Sequence, residues 1–293
     1  MKKRYFSALL LLLMLLSGCQ KPAPAVGGVR IVATTYPVYL FTTAVIDGVE
    51  GVQADLMVDE PVSCLHDYTL TVDDMKLLEA ADLIAMNGVG LEAFMEDALK
   101  TSKAEIVDAS AGVPLLQRED GTDDPHIWMD PENGKQMLQT IADALAEQDP
   151  QNGETYQSNA AAALTKIDDA FAPETLQTAK GVKLITFHDG FEYFAKAFSF
   201  SILKAIEEEE GAETSAREIG EIVSTVKENN LPAIFTEQNG STATAEAICR
   251  ETDAKAYALS MLMSGTGTGI DPYIDTLRDN YDTVAAAFSE AGK

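Results

Sequence analysis

Positive charge is scarce in this chain. Its 293 residues carry 21 Lys and Arg against 47 Asp and Glu, a formal net charge of −26. Nucleic acid is excluded as a ligand class, because phosphate backbones are held by basic side chains. Cysteine is almost absent, with three residues, so a disulfide-built scaffold is excluded too. No HExxH, GxSxG or P-loop pattern occurs, which removes the commonest signatures of metalloproteases, serine hydrolases and nucleotide binders. Histidine is nearly as rare as cysteine, at three residues. A long apolar run occurs only at the N-terminus, and the 46% of hydrophobic residues suffices for a proper core.

That N-terminal run sits in "MKKRYFSALLLLLMLLSGCQ", a basic start followed by an apolar stretch and small residues. It reads as a secretory signal over 1–18, too short for a comfortable membrane span. "LSGC" resembles the lipobox of bacterial lipoproteins and makes Cys19 the lipidation site. Residues 19–28, rich in Pro and Gly, then form a flexible tether. The expected location is the extracytoplasmic face of a bacterial cell membrane. The other two cysteines, Cys64 and Cys249, are either a disulfide pair or two buried thiols.

Beyond the tether, short apolar runs alternate with helical periodicity. "VRIVATTY" (29–36), "GVQADLMV" (51–58), "DLIAMNG" (82–88) and "AEIVDAS" (104–110) read as strands, with helices over 73–81 and 91–102. From Asp130, a good helix cap, and Pro131 the pattern is helical to about 178. Strands resume at 182–187, 200–206, 232–237 and 254–260, with helices at 215–230, 242–252 and 271–288. The acidic run at 207–211 reads as a solvated loop. The expected fold is α/β: two lobes (29–130 and 181–293), each a mostly parallel sheet flanked by helices. A long helical connection (131–180) joins them, and the site falls in the cleft between lobes.

The three histidines, His66, His126 and His188, all fall at strand ends or helix starts, where α/β folds build sites. Taken singly, each is an ordinary hydrogen-bonded loop histidine. They are about sixty residues apart, unlike the close ligand spacing of a zinc finger, so only the fold could bring them together. Three converging imidazoles would favour Zn²⁺, whereas carboxylates and carbonyls suit Mn²⁺ and Ca²⁺.

The segments "IVATTYPVYLFTTAV", "HDYTLTVDDMKLLEAADLIAMNGVGLEAF", "DPHIWMDPENGKQM", "FHDGFEYFAKAF" and "IFTEQNGSTATAEAICRETDAKAYAL" occur in that order. Together they resemble the metal-binding lipoproteins of ABC transporters, the ZnuA/TroA-like family, in its zinc-uptake branch. The resemblance spans about 29 to 290. It implies a monomeric receptor that captures Zn²⁺ as its transported ligand and hands it to a membrane permease, with His66, His126 and His188 as ligands. Manganese-type relatives place a glutamate where His188 stands and an aspartate where "LSMLMSG" offers only Ser260 and Ser264.

The fourth ligand is open between water, Glu237 and Cys64. Glu237 is otherwise a strand-end residue bonded to a helix start. Asp67, Asp130 and Asp189 suit carboxylates that orient the ligands or cap helices. Trp128 and Tyr36 suit the cleft wall. The loop "LQREDGTDD" lacks the histidines of many zinc-type relatives, so a scavenging role for it is unsupported. Alternatives to the zinc receptor are a manganese or iron receptor of the same family and, in another class, a hydrolase with a three-histidine zinc site. Some members of the family are described as adhesins; no residue here points to that role.

Overall fold

The computed structural model describes residues 28–59, 65, 68–118, 120–176, 181–206, 214–238, 240 and 242–290. The signal segment, Cys19, Cys64, His66, Asp67 and the acidic run at 207–211 lie outside the described residues. No described helix is long and apolar enough to cross a membrane.

The first sheet is built from β1 (Val29–Ala33), β2 (Val52–Leu56), β3 (Leu83–Met86) and β4 (Glu105–Asp108), all parallel, in the order β2-β1-β3-β4. The second repeats the plan with β5 (Lys183–Thr186), β6 (Ser201–Ala205), β7 (Ala233–Glu237) and β8 (Lys255–Leu259), in the order β6-β5-β7-β8. Central strands are covered on both faces, which is why they read as unbroken apolar runs rather than alternating ones; all five residues of β7 are buried. In each sheet the chain leaves the first strand to one side and returns on the other. The crevice between β1 and β3, and that between β5 and β7, are therefore the places where such sheets take ligands.

Helices are α1 (Tyr36–Val45), α2 (Val72–Ala80), α3 (Glu96–Thr101), α4 (Pro131–Gln148), α5 (Gly153–Phe171), α6 (Glu192–Ala197), α7 (Ala216–Glu228), α8 (Ala243–Glu251) and α9 (Asp271–Glu290). Reciprocal capping boxes start α2 (Thr71 with Asp74) and α7 (Ser215 with Glu218). Asp130 caps α4, accepting from the Glu132 N–H at 2.9 Å, and Pro131 opens it. Met137, Leu138, Ile141, Ala142 and Leu145 then line its buried stripe. Helices α4 and α5 form a hairpin between the two sheets.

Helix α1 was not expected. The stretch to Tyr36 reads as strand, yet β1 ends at Ala33 and a helix begins at Tyr36. Eight of its ten residues are buried, so it shows no polar face to betray a helical period. The short helix α6 was missed because six residues are too few to carry one.

One apolar core runs through both sheets and the connection, joining Ile31 and Leu83 to Trp128, Leu138 and Tyr156, and on to Phe194, Phe235 and Tyr273. A smaller cluster around Ile185, Ile222, Ile234 and Ile248 underlies the second sheet. Helix α9 returns to the first lobe, where Tyr273 meets Phe41 edge-on with ring centroids 4.9 Å apart.

Candidate metal centre

His126 ends the loop between β4 and α4, and three bonds hold that loop. The Asn87 side-chain amide, at the end of β3, donates to the Pro125 carbonyl at 3.0 Å. Tyr193 Oη, on α6, donates to the Asp124 carbonyl at 3.2 Å and accepts from the Leu116 N–H at 2.8 Å. After His126 the chain makes a single 3₁₀ turn, in which the Met129 N–H donates to the His126 carbonyl. Trp128 then ties the loop to the second lobe, its indole N–H donating to the Met261 carbonyl at 3.0 Å.

His188 lies just beyond β5, at the crevice between β5 and β7, as its position after "VKLITF" implied. The rings of His126 and His188 meet edge to face, with centroids 5.1 Å apart. His126, His188 and Asp189 each offer a ligand atom, and these atoms lie within 4.8 Å of one another. A tetrahedral zinc site has ligand atoms about 3.4 Å apart for bonds of about 2.0–2.1 Å, so the two imidazoles come within the range of a shared cation.

The Asp124 carboxylate fixes the His126 ring. Its Oδ1 lies 2.7 Å from Nδ1 and also accepts from the His126 backbone N–H at 3.0 Å. The carboxylate thus engages Nδ1 and leaves Nε2 for a metal. Asp124, which was not singled out in the sequence, is the carboxylate on this histidine; Asp130 is the helix cap, as expected. Burial pushes the His126 pKa down against the opposing pull of Asp124. The imidazole therefore stays in its neutral, ligating form.

His188 Nδ1 has two neighbours with opposite demands. It accepts from the Gly190 N–H at 3.1 Å, and it lies 3.0 Å from Asp189 Oδ1, to which it can only donate. It cannot do both. A metal on Nε2 selects the tautomer with Nδ1–H toward Asp189. Burial pushes the Asp189 carboxyl up, but the His188 hydrogen bond and the neighbouring His126 and Arg118 outweigh it. Asp189 is held well below the usual carboxylate range.

Arg118 was not singled out in the sequence. Its Nη2 lies 3.0 Å from Asp189 Oδ2 and 3.9 Å from Asp124 Oδ1. The available signal was a lone base in the acidic stretch "LQREDGTDD". Glu237 is buried at the end of β7 but is not part of the described cluster. Tyr36 and Trp128 are buried, as expected of a wall. The Tyr36 hydroxyl accepts from the Gly267 N–H at 2.9 Å, and the Trp128 ring lies 5.4 Å from His126.

The family profile described as "Zinc-uptake complex component A periplasmic" (ZnuA) matches residues 31–287. The iron-binding protein YfeA of Yersinia pestis is 30% identical over 277 residues, covering 88% of this chain and 88% of that protein. The manganese-binding lipoprotein MntA of Halalkalibacterium halodurans is 28% identical over 238 residues, covering 77% of this chain and 78% of that one. Among solved structures, FpvC of P. aeruginosa in complex with Ni²⁺ superposes with a TM-score of 0.79 at 25% identity, covering 91% of this chain and 98% of that one. The cation thus differs from one relative to the next. The family is one of receptors, not enzymes, which removes the hydrolase alternative. The chain belongs to the ZnuA family and is a metal-binding solute-binding protein of an ABC transporter.

Proposed function

We propose that the transported cation is Zn²⁺, captured on the extracytoplasmic face and delivered to the membrane permease. The observation that carries this reading is the pair of imidazoles, His126 and His188, in edge-to-face contact with a carboxylate at the Nδ1 of each. Nitrogen donors on oriented rings suit zinc better than manganese. His66 is the proposed third ligand. The fourth position falls to water or to Glu237 at the end of β7, with Cys64 as a further candidate. In this reading residues 1–18 are the signal, Cys19 the lipid anchor and 19–28 the tether. Lobes 29–130 and 181–293 flank the connection 131–180, and the receptor works as a monomer.

Competition titration with Zn²⁺ and Mn²⁺ tests the cation. One tight zinc site per chain is expected, with zinc preferred, and His66→Ala, His126→Ala and His188→Ala should each weaken it strongly. A manganese preference would overturn the cation assignment. Unchanged zinc affinity in the triple variant would overturn the site.

A further inference from the structure

We propose that Arg118 sets the metal preference of this centre by keeping Asp189 out of the coordination sphere. This rests on the reading that the cluster of His126, His188 and Asp189 takes a divalent cation. Asp189 is the only carboxylate of that cluster among the described residues. As a ligand beside two imidazoles it would shift the donor set from nitrogen toward oxygen, and so from zinc toward harder cations such as Mn²⁺. Both its oxygens are already occupied: Oδ1 faces His188 Nδ1 at 3.0 Å and Oδ2 faces Arg118 Nη2 at 3.0 Å. A metal at Asp189 therefore has to compete with both partners for the carboxylate's charge and orientation.

The arginine is delivered by a tight turn rather than a loose tail. Its own N–H donates to the Thr122 carbonyl at 2.8 Å, its carbonyl accepts from the Gly121 N–H at 3.0 Å, and Gln117 and Asp123 pair across the turn. The guanidinium reaches Asp189 and, more distantly, Asp124, the two carboxylates that orient the two imidazoles. Its hold is by charge: Nε and Nη2 are buried without an aligned hydrogen bond. Glu192 lies near enough to feel both carboxylates, its own carboxyl raised by burial and then by their charges. Without Arg118 the centre would keep three acids and lose the cation that ties Asp189 back. Arginine does not deprotonate in proteins, so this restraint persists at every working pH.

The test is competition titration of the full chain with Zn²⁺ and Mn²⁺, together with the visible absorption of the Co²⁺ form. For Arg118→Gln the zinc-to-manganese affinity ratio should fall by roughly tenfold or more, chiefly through a gain for Mn²⁺, a change the size of other outer-contact effects. The Co²⁺ bands should weaken as the coordination number rises above four. Arg118→Lys keeps the charge and should keep both the parent ratio and the parent spectrum. Adding Asp189→Asn to Arg118→Gln should abolish the gain for Mn²⁺ and return the Co²⁺ bands to four-coordinate intensity, at a lower affinity for both metals because His188 loses its orienting carboxylate. An unchanged ratio in Arg118→Gln, equal loss of both metals, or a shift that survives Asp189→Asn would overturn the proposal. A parent chain that bound neither metal would instead overturn the reading on which it rests.

Discussion

Gly190 offers a sharp test of the centre's geometry. It occupies the 3₁₀ turn Asp189–Phe191, buried behind the two histidines. A Cβ added there would sit 2.4 Å from Met261 Cε and 2.7 Å from His126 Cδ2. Its φ lies outside the left-handed region, so Gly190→Ala costs nothing in backbone strain and acts by sterics alone. Ordinary carbon–carbon contact begins near 3.5 Å, so the imidazole has to retreat by roughly 0.8 Å. The Met261 methyl ends a flexible chain and can swing aside. His126 cannot: it is clasped to Asp124 through both its ring and its backbone N–H, and Trp128 packs beside it. Metal bonds tolerate only about 0.2 Å, so the displaced ring should lose its bond. Gly190→Ala should therefore weaken zinc binding by about a hundredfold or more, at least the upper range of outer-contact losses. Its metal-free stability should fall by about 1–3 kcal/mol, the usual cost of overpacking. Competition titration reads the first and urea denaturation in chelator the second. Gly220→Ala, with open space around its Cβ on α7, should leave binding unchanged and gain up to about 1 kcal/mol. A folded Gly190→Ala chain binding zinc within twofold of the parent would refute the placement of His126 as a ligand.

Two further outcomes follow from buried carboxylates. Burial pushes Glu92 up to about 7, against hydrogen bonds from the Thr34 hydroxyl and the Asn87 and Gly88 N–H groups. The folded chain holds that proton to about pH 7, whereas the unfolded chain releases it near the ordinary glutamate value of 4.5. This contribution is therefore complete below about pH 4.5, declines by about 3 kcal/mol as pH rises to 7 and is flat above. Urea midpoints of the metal-free chain between pH 4.5 and 8 should show this slope, and Glu92→Gln should remove it; a slope that persists in the variant would assign it to other groups. Asp124→Asn should lower zinc affinity by about 10–100-fold, as loss of a ligand-orienting carboxylate does, and a titration matching the parent would remove Asp124 from the account.

Strands were legible in the sequence because a doubly covered parallel strand is a short apolar run between turn residues, and all eight strands among the described residues lie within the runs that predict them. Helix α1 was not, for the same physical reason inverted: burial on nearly every side erased the period that marks a helix. At the centre, His126 and His188 stood out through scarcity and through their places at loop ends. Their orienting partners did not. Asp124 and Asp130 flank the same histidine in one acidic stretch; the Asp–Pro helix start marked Asp130 as the cap of α4, but only the fold shows that Asp124 holds the ring. Arg118 pairs with Asp189 across two lobes, and no local pattern encodes that contact.

The position of the centre bears on how a cation is captured. The lobes share one core and are tied at several points around the site. Trp128 bonds Met261, Tyr273 Oη donates to the Trp128 carbonyl at 2.9 Å, and the Gly269 N–H donates to Thr43 Oγ1 at 2.8 Å. Each buried bond contributes about 1 kcal/mol, and each buried aromatic side chain about 2 more. A wide hinge opening would break all of these at once. In the proposed site, a local degree of freedom is the His188 proton, which would have to sit on Nδ1 for Nε2 to bind. Returning His188 to its bond with the Gly190 N–H would put the proton on Nε2 and loosen the metal.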